Sequence, residues 1–317
     1  MMLRFGLELE DRPDLCCEWN MQGNEFLNNL CQPMDISRGL EAVEIRIHGI
    51  TEVDGHENQS SCFKFDYTLS NIPGPGTPLE DFEVQFEGCS CEGECTQGNC
   101  SCIDRFGPIY NSAHLLSRIM ESSFQPPVFE CNHRCSCVRS CSHRLVQQGV
   151  QSLLEVYHTG AKGFGLRAFV DLFPGSFVCE YAGEVLTKKE AKHRSSNTSL
   201  ADDNYIIVLK EHLGSGETIH TYIDARQRAN VGRFVNHSCD PNLHMVPVRV
   251  NNNVPRLALF AVKFIKAGTE LTFNYAGTRE KETIKEKNQT SNLSTEKPCL
   301  CGSGRCSQWM PFEKGLL

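Results

Sequence analysis

The feature that most constrains this chain is a block of nine cysteines in residues 89–141. It reads Cys89-x-Cys91-x3-Cys95-x4-Cys100-x-Cys102, then Cys131-x3-Cys135-x-Cys137-x3-Cys141. The block has little hydrophobic periodicity, so something other than an apolar core must hold it. Thiolate-bound zinc can do so. A tetrahedral ion takes four sulfurs at ~2.3 Å, and ligands one to four residues apart reach one ion without straining the chain. Nine is not a multiple of four, but three ions need twelve bonds, and nine thiolates supply twelve when three of them each bridge two metals. Such a cluster leaves no position open to water or substrate, so its zinc would be structural. A disulfide knot suits the block poorly, because neighbouring Cys-x-Cys pairs are bad disulfide partners.

A second cluster, Cys299-x-Cys301-x4-Cys306, is one thiolate short of a closed site. Cys239 stands out as the fourth ligand, since it lies in a polar turn after Arg233-Phe234-Val235. Cys16, Cys17, Cys31 and Cys62 are distant in sequence, and Cys179 lies within an apolar strand. A zinc on Cys239 would pin the C-terminal tail against the Asn236-His237 turn.

Composition narrows the partners. The formal charge is −8 over 317 residues, so a DNA-coating role is disfavoured, because neutralising phosphates needs clustered Lys and Arg. An acidic surface suits a basic peptide. A sequence-specific DNA-binding protein would show a basic stripe and a recognition helix, and neither is evident. No apolar run has the ~18 to 20 residues of a membrane span, and residues 1–11 do not read as a secretory signal.

Along the chain, residues 1–60 are acidic and partly irregular, with one strand expected in Val43–Ile50. The Pro- and Gly-rich stretch 71–78 cannot be helical. From Ser152 the texture turns to short β-rich runs: 153–157, 177–181, 205–209, 218–223, 243–250, 257–262 and 270–275. One helix is expected, opening with the capping box Thr187-Lys188-Lys189-Glu190. Residues 278–297 are polar and read as a flexible linker.

Four motifs follow one another: Lys162-Gly163-Phe164-Gly165, Glu180-Tyr181-Ala182-Gly183-Glu184, Arg233-Phe234-Val235-Asn236-His237-Ser238-Cys239 and Glu270-Leu271-Thr272-Phe273-Asn274-Tyr275. Their order resembles that of SET-domain protein lysine methyltransferases. The nine-cysteine block resembles the pre-SET module and the Cys-x-Cys-x4-Cys tail the post-SET module, a combination typical of the class acting on lysine nine of histone H3. The resemblance implies a mainly β fold of several small sheets (β-clip-like) with few short helices. It also implies the layout 1–60 N-terminal region, 61–150 pre-SET, 151–277 SET, 278–298 linker and 299–317 post-SET, with four zinc ions, three of them in the pre-SET module.

The implied activity is methyl transfer from S-adenosylmethionine to a lysine of the H3 tail, with di- or trimethyl product. Other implications are a monomeric catalytic unit, nuclear localisation and chromatin as the partner, with no membrane role. The rival reading is an inactive SET module serving as a chromatin-binding scaffold. By resemblance, Lys162, Gly163, Phe164, Gly165, Tyr205, Arg233, Asn236, His237 and Trp309 bind the cofactor. Phe164 stands where many members have Trp. Tyr275 matches the catalytic tyrosine, with Tyr181 and Phe273 as walls of a lysine channel. Taken singly, the glycine pair would be a turn and most of the aromatics core packing. Strand alternation is expected to set Phe273 and Tyr275 on one face.

Overall fold

Short runs of β-branched and aromatic residues, broken by Gly, Pro and Asn, build many small strands rather than a few long ones. The computed structural model describes residues 35–48, 63–111, 113, 115–116, 128–198, 204–277 and 297–311. In chain order the strands are β1 (Ile45–His48), β2 (Asp66–Tyr67), β3 (Ile72–Pro73), β4 (Val128–Phe129) and β5 (Leu154–His158). Then come β6 (Phe164–Ala168), β7 (Phe177–Tyr181), β8 (Glu184–Leu186), β9 (Ile206–His212) and β10 (Thr218–Asp224). The last five are β11 (Arg228–Ala229), β12 (Asn236–His237), β13 (Leu243–Arg249), β14 (Arg256–Ala261) and β15 (Thr272–Phe273). Two α-helices occur among the described residues, α1 (Ser101–Phe106) and α2 (Lys188–Ser196). None is long and apolar enough to cross a membrane.

The strands form five small sheets: β1-β5-β6, β3-β8-β10-β9, β4-β13-β14-β7 and the ribbons β2-β11 and β12-β15. All five residues of β7 are buried, and its neighbour β14 is buried from Leu257 on. Apart from Glu180, this is the apolar reading of strands covered on both faces. Val231, Val235, Leu271 and Phe273 join the same core. Burial of each such side chain stabilises the fold by ~1.5 to 3 kcal/mol. Their neighbours in sequence are thereby set in place. The parallel ribbon pairs Asn236 with Thr272 and His237 with Phe273, so two distant motifs lie side by side.

Most expected strands form with ends shifted by a residue or two. The 270–275 run is the exception, since only Thr272–Phe273 is strand. Asn274 turns the chain: its Oδ1 accepts from Ala276 N at 3.0 Å, and its carbonyl accepts from Gly277 N at 3.0 Å. Such local side-chain bonds compete with the ladder. In α2, Thr187 Oγ1 accepts from Glu190 N at 3.2 Å as expected. The Glu190 carboxylate instead accepts from Arg194 Nε at 2.9 Å. Helix α1, not anticipated, is a six-residue turn ending at Gly107, whose φ is 82°. It carries Cys102 into the cysteine cluster, which periodicity cannot reveal in so short a helix.

Of the expected Val43–Ile50 strand, Ile45–His48 forms and pairs in parallel with β5. Asp35 ties down the preceding turn, its carboxylate accepting from the amides of Ser37, Gly39 and Ile45. Residues 1–34, with Cys16, Cys17 and Cys31, lie outside the described residues, as do Cys62 and linker residues 278–296.

Candidate active site and metal centres

The sulfurs of the cysteine block converge in three overlapping groups of four: Cys89, Cys95, Cys100, Cys131; Cys89, Cys102, Cys131, Cys135; and Cys95, Cys131, Cys137, Cys141. Within each group the sulfurs lie within 4.8 Å of one another. The Sγ separations Cys89–Cys95, Cys95–Cys131 and Cys102–Cys135 are all 3.7 Å. A thiolate tetrahedron with ~2.3 Å bonds has edges of about 3.8 Å, so donor type and spacing both fit zinc. Cys91 sits at the rim facing the thiols of Cys89, Cys95 and Cys100. A fourth group joins Cys239 to Cys299, Cys301 and Cys306, with Cys239 and Cys299 sulfurs 3.9 Å apart. Cys179 stands apart, buried in β7, where burial pushes its thiol pKa up.

Beside the ribbon that pairs His237 with Phe273, three aromatic residues meet. The Phe273 ring centroid lies 4.7 Å from that of Tyr275 and 6.4 Å from that of Tyr181. Phe273 and Tyr181 are buried, while Tyr275 is 40% exposed, so the group opens to solvent at Tyr275. Tyr181 Oη donates to the carbonyl of Tyr205 at 2.6 Å and Tyr275 Oη to that of Val235 at 2.9 Å. Burial, reinforced by the nearby Tyr275, holds the Tyr181 phenol well above its usual pKa. Phe273 and Tyr275 do meet, but Tyr275 lies beyond β15, at the start of the Asn274 turn, so alternation along a strand is not what joins them.

The expected cofactor residues fall into linked sets. Gly163 adopts φ 70° with open space where a side chain would stand, and Gly165 faces the Asn236 amide. Lys162 Nζ is bound by Glu270, and Asn236 Nδ2 donates to Phe164 O at 3.2 Å. The Phe164 ring packs edge-on against Phe63 at 4.8 Å. The Arg233 guanidinium lies 4.4 Å from both the Tyr205 and Phe65 ring centroids, a cation–π sandwich. Its Nη1 donates to Arg226 O at 3.2 Å, while its Nε is buried without a partner. His237 Nδ1 accepts from Tyr275 N at 3.2 Å, which leaves the proton of the neutral ring on Nε2, and burial lowers its pKa. Trp309, half-exposed on the tail, pairs by backbone with Pro298. The unspent Arg233 donor and the clear space at Gly163 fit a polar ligand such as S-adenosylmethionine.

Sequence reading passed over Phe65 and the Val235 carbonyl, and gave no role to Glu270, which it named only as the first residue of a motif. Glu270 had a signal, as the only charged residue of its motif; Phe65 and a backbone carbonyl had none.

The comparisons with known proteins agree with this geometry. The SET domain family matches residues 163–276 and the Pre-SET motif residues 37–144. The histone-lysine N-methyltransferase SETMAR of Rattus norvegicus is 42% identical over 255 residues, 80% of this chain and 81% of that protein. The crystal structure of the methyltransferase domain of human SETMAR superposes with a TM-score of 0.74 at 36% identity, covering 89% of this chain and 99% of that one. KRYPTONITE, solved in complex with mCHH DNA, H3(1-15) peptide and SAH, matches with a TM-score of 0.63 at 27% identity, over 87% of this chain and 53% of that one. By these matches and its own site geometry, the chain belongs to the SET-domain family of histone-lysine N-methyltransferases.

Proposed function

We propose that this chain transfers methyl groups from S-adenosylmethionine to lysine nine of the histone H3 tail, through to the di- and trimethyl stages. The observation that carries the reading is the meeting of Tyr181, Phe273 and Tyr275 beside the ribbon formed by Asn236 and His237. When bound, S-adenosylmethionine supplies an electrophilic methyl on a cationic sulfonium. Gly163 to Gly165, Tyr205, Arg233, Asn236, His237 and Trp309 would hold it.

The chain's residues have three tasks. Tyr181 and Phe273 wall an apolar passage that favours the neutral lysine amine over the ammonium. The Tyr181 and Tyr275 hydroxyls spend their protons on backbone carbonyls, which leaves oxygen lone pairs to orient the amine's N–H bonds. The walls also exclude water, so alignment supplies most of the rate. Phe273, lacking a hydroxyl, leaves room for an amine that already carries methyls.

Four zinc ions complete the reading. Cys89, Cys95 and Cys131 would bridge, with Cys91/Cys100, Cys102/Cys135 and Cys137/Cys141 as the outer pairs of the three metals. This assignment uses all nine thiolates and follows the overlaps among the sulfur groups. The fourth ion, on Cys239, Cys299, Cys301 and Cys306, would fasten the tail carrying Trp309 to the segment after His237. The H3 tail as substrate is supported by the histone peptide held by KRYPTONITE and by the acidic charge of −8. The setting would be nuclear chromatin.

Mass spectrometry of an H3 tail peptide incubated with enzyme and S-adenosylmethionine tests all of this. Di- and trimethylation at lysine nine is expected. A peptide bound but never methylated would support a scaffold instead.

A further inference from the structure

The Glu270 carboxylate ties together three parts of the candidate cofactor site that lie far apart in sequence. Its oxygens accept from Lys162 Nζ at 2.7 and 2.5 Å, and Oε1 also accepts from Asn236 Nδ2 at 3.0 Å. The second hydrogen of the Asn236 amide goes to Phe164 O at 3.2 Å. Two acceptors therefore face the Asn236 nitrogen, which settles the orientation of the amide and spends both its hydrogens. The atom left for a ligand is Oδ1, which only accepts.

Gly165 provides the room for this arrangement. A Cβ there would stand 2.7 Å from Thr159 Cγ2, 2.9 Å from Asn236 Nδ2 and 3.2 Å from Glu270 Oε1, crowding the threonine and the Asn236–Glu270 hydrogen bond together. The second glycine of the motif thus serves a contact between protein side chains as well as the approach of a ligand. Glu270 is itself anchored at the backbone. It bridges to Arg167 of β6, and its carbonyl accepts from Asn242 Nδ2 at 2.7 Å.

We infer that Glu270 is a positioning residue for the amino-acid end of S-adenosylmethionine: it aims Asn236 Oδ1 at the α-ammonium and holds the Lys162 ammonium beside the α-carboxylate. This rests on the reading that the cofactor binds along Gly163–Gly165 and Asn236. Bound to both carboxylate oxygens, Lys162 keeps one hydrogen to offer. The lysine's charge is balanced by Glu270, so the site as a whole suits a zwitterion rather than an anion. Without Glu270 the Asn236 amide could rotate and present its NH2 to the ammonium, replacing an attraction with a repulsion.

The test is calorimetric and needs no turnover. Wild type and variants are titrated with S-adenosylhomocysteine and with 5′-methylthioadenosine, which keeps the nucleoside and thioether but lacks the amino-acid end. Glu270→Ala should weaken S-adenosylhomocysteine by roughly 10- to 100-fold, the loss of one charge-assisted contact. Methylthioadenosine affinity should be unchanged, which also shows that the variant is folded. Glu270→Gln, which still offers Asn236 an acceptor, should restore most of the loss. Should Glu270→Ala fail to fold, Glu270→Asp, which keeps the charge but shortens its reach, carries the same expectation. Equal weakening of both ligands, or no weakening of S-adenosylhomocysteine, overturns the inference. Wild-type protein that binds neither ligand would overturn the cofactor reading itself, and the inference with it.

Discussion

The hydroxyl of Tyr275 donates to the main-chain oxygen of Val235 at 2.9 Å, joining the end of one motif to the middle of another. The Tyr275 amide donates in turn to His237 Nδ1 at 3.2 Å. The side chain is therefore held from both ends, although the residue itself lies in a turn. On the proposed reading, a phenol whose proton is engaged by a carbonyl would orient the substrate amine rather than take a proton from it. The amine would instead pass its proton to solvent water as it enters the passage, because desolvation there favours the neutral form.

Tyr275→Phe removes that oriented oxygen and keeps the ring. Methyl transfer should fall by about 10²-fold or more, the scale of a misaligned reacting pair. The melting temperature should drop only slightly, since a single hydrogen bond contributes about 1 kcal/mol. Steady-state rates and thermal unfolding measured on one preparation check both halves, and an active variant would remove Tyr275 from the site.

Phe273 is buried between Tyr181 and Tyr275. A hydroxyl added at Phe273→Tyr occupies the space that a methylated amine would need. The product should shift from trimethyl toward monomethyl lysine while the first transfer persists. Mass spectra with excess cofactor would show it, and an unchanged product ladder would mean that Phe273 does not set the methylation degree.

The zinc assignment makes the cysteines unequal. Cys131 belongs to all three sulfur groups of the block, whereas Cys91 lies at its rim. Cys131→Ser should lose more than one zinc by elemental analysis and fail to fold, since structural zinc contributes on the order of 10 kcal/mol. Cys91→Ser should lose at most one. Strong chelation of the wild type should abolish activity, and full activity in a metal-free sample would contradict the assignment.

Glu180, buried in β7, lies 3.6 Å from Arg256 Nη1 through Oε2, while its Oε1 has no partner. Burial raises its pKa from 4.5 to about 7. Between those values the folded chain keeps a proton that the unfolded chain releases, so its contribution to stability is full below the lower value and is lost as pH rises through the upper. Glu180→Gln cannot ionise. Its melting temperature should match wild type near pH 4 and exceed it by several degrees at pH 8, for a gain of roughly 1–3 kcal/mol. Thermal scans across pH check this, and a gap that narrows as pH rises would contradict it.

Much of the molecule was legible before folding. The cysteine spacing pointed to clusters able to hold a metal, because ligand reach is a local property of the chain. Strands β5, β7, β9, β10, β13 and β14 followed from β-branched runs and their punctuation, because burial on a sheet depends on residue type and period, whereas β6, β8, β11 and β12 were not anticipated. The order of the four motifs specified the family.

What only the tertiary structure decided is pairing across distance. Which sulfurs converge, which carbonyl receives the Tyr275 proton, and why Gly165 has no side chain all depend on segments brought together by the core. Glu270 shows the limit most clearly. Its charge was visible in the sequence, but its partners Lys162 and Asn236 are 108 and 34 residues away. A side-chain hydrogen bond acts over about 3 Å of space, and one-dimensional spacing does not report that distance until the ribbon of Asn236–His237 and Thr272–Phe273 has formed.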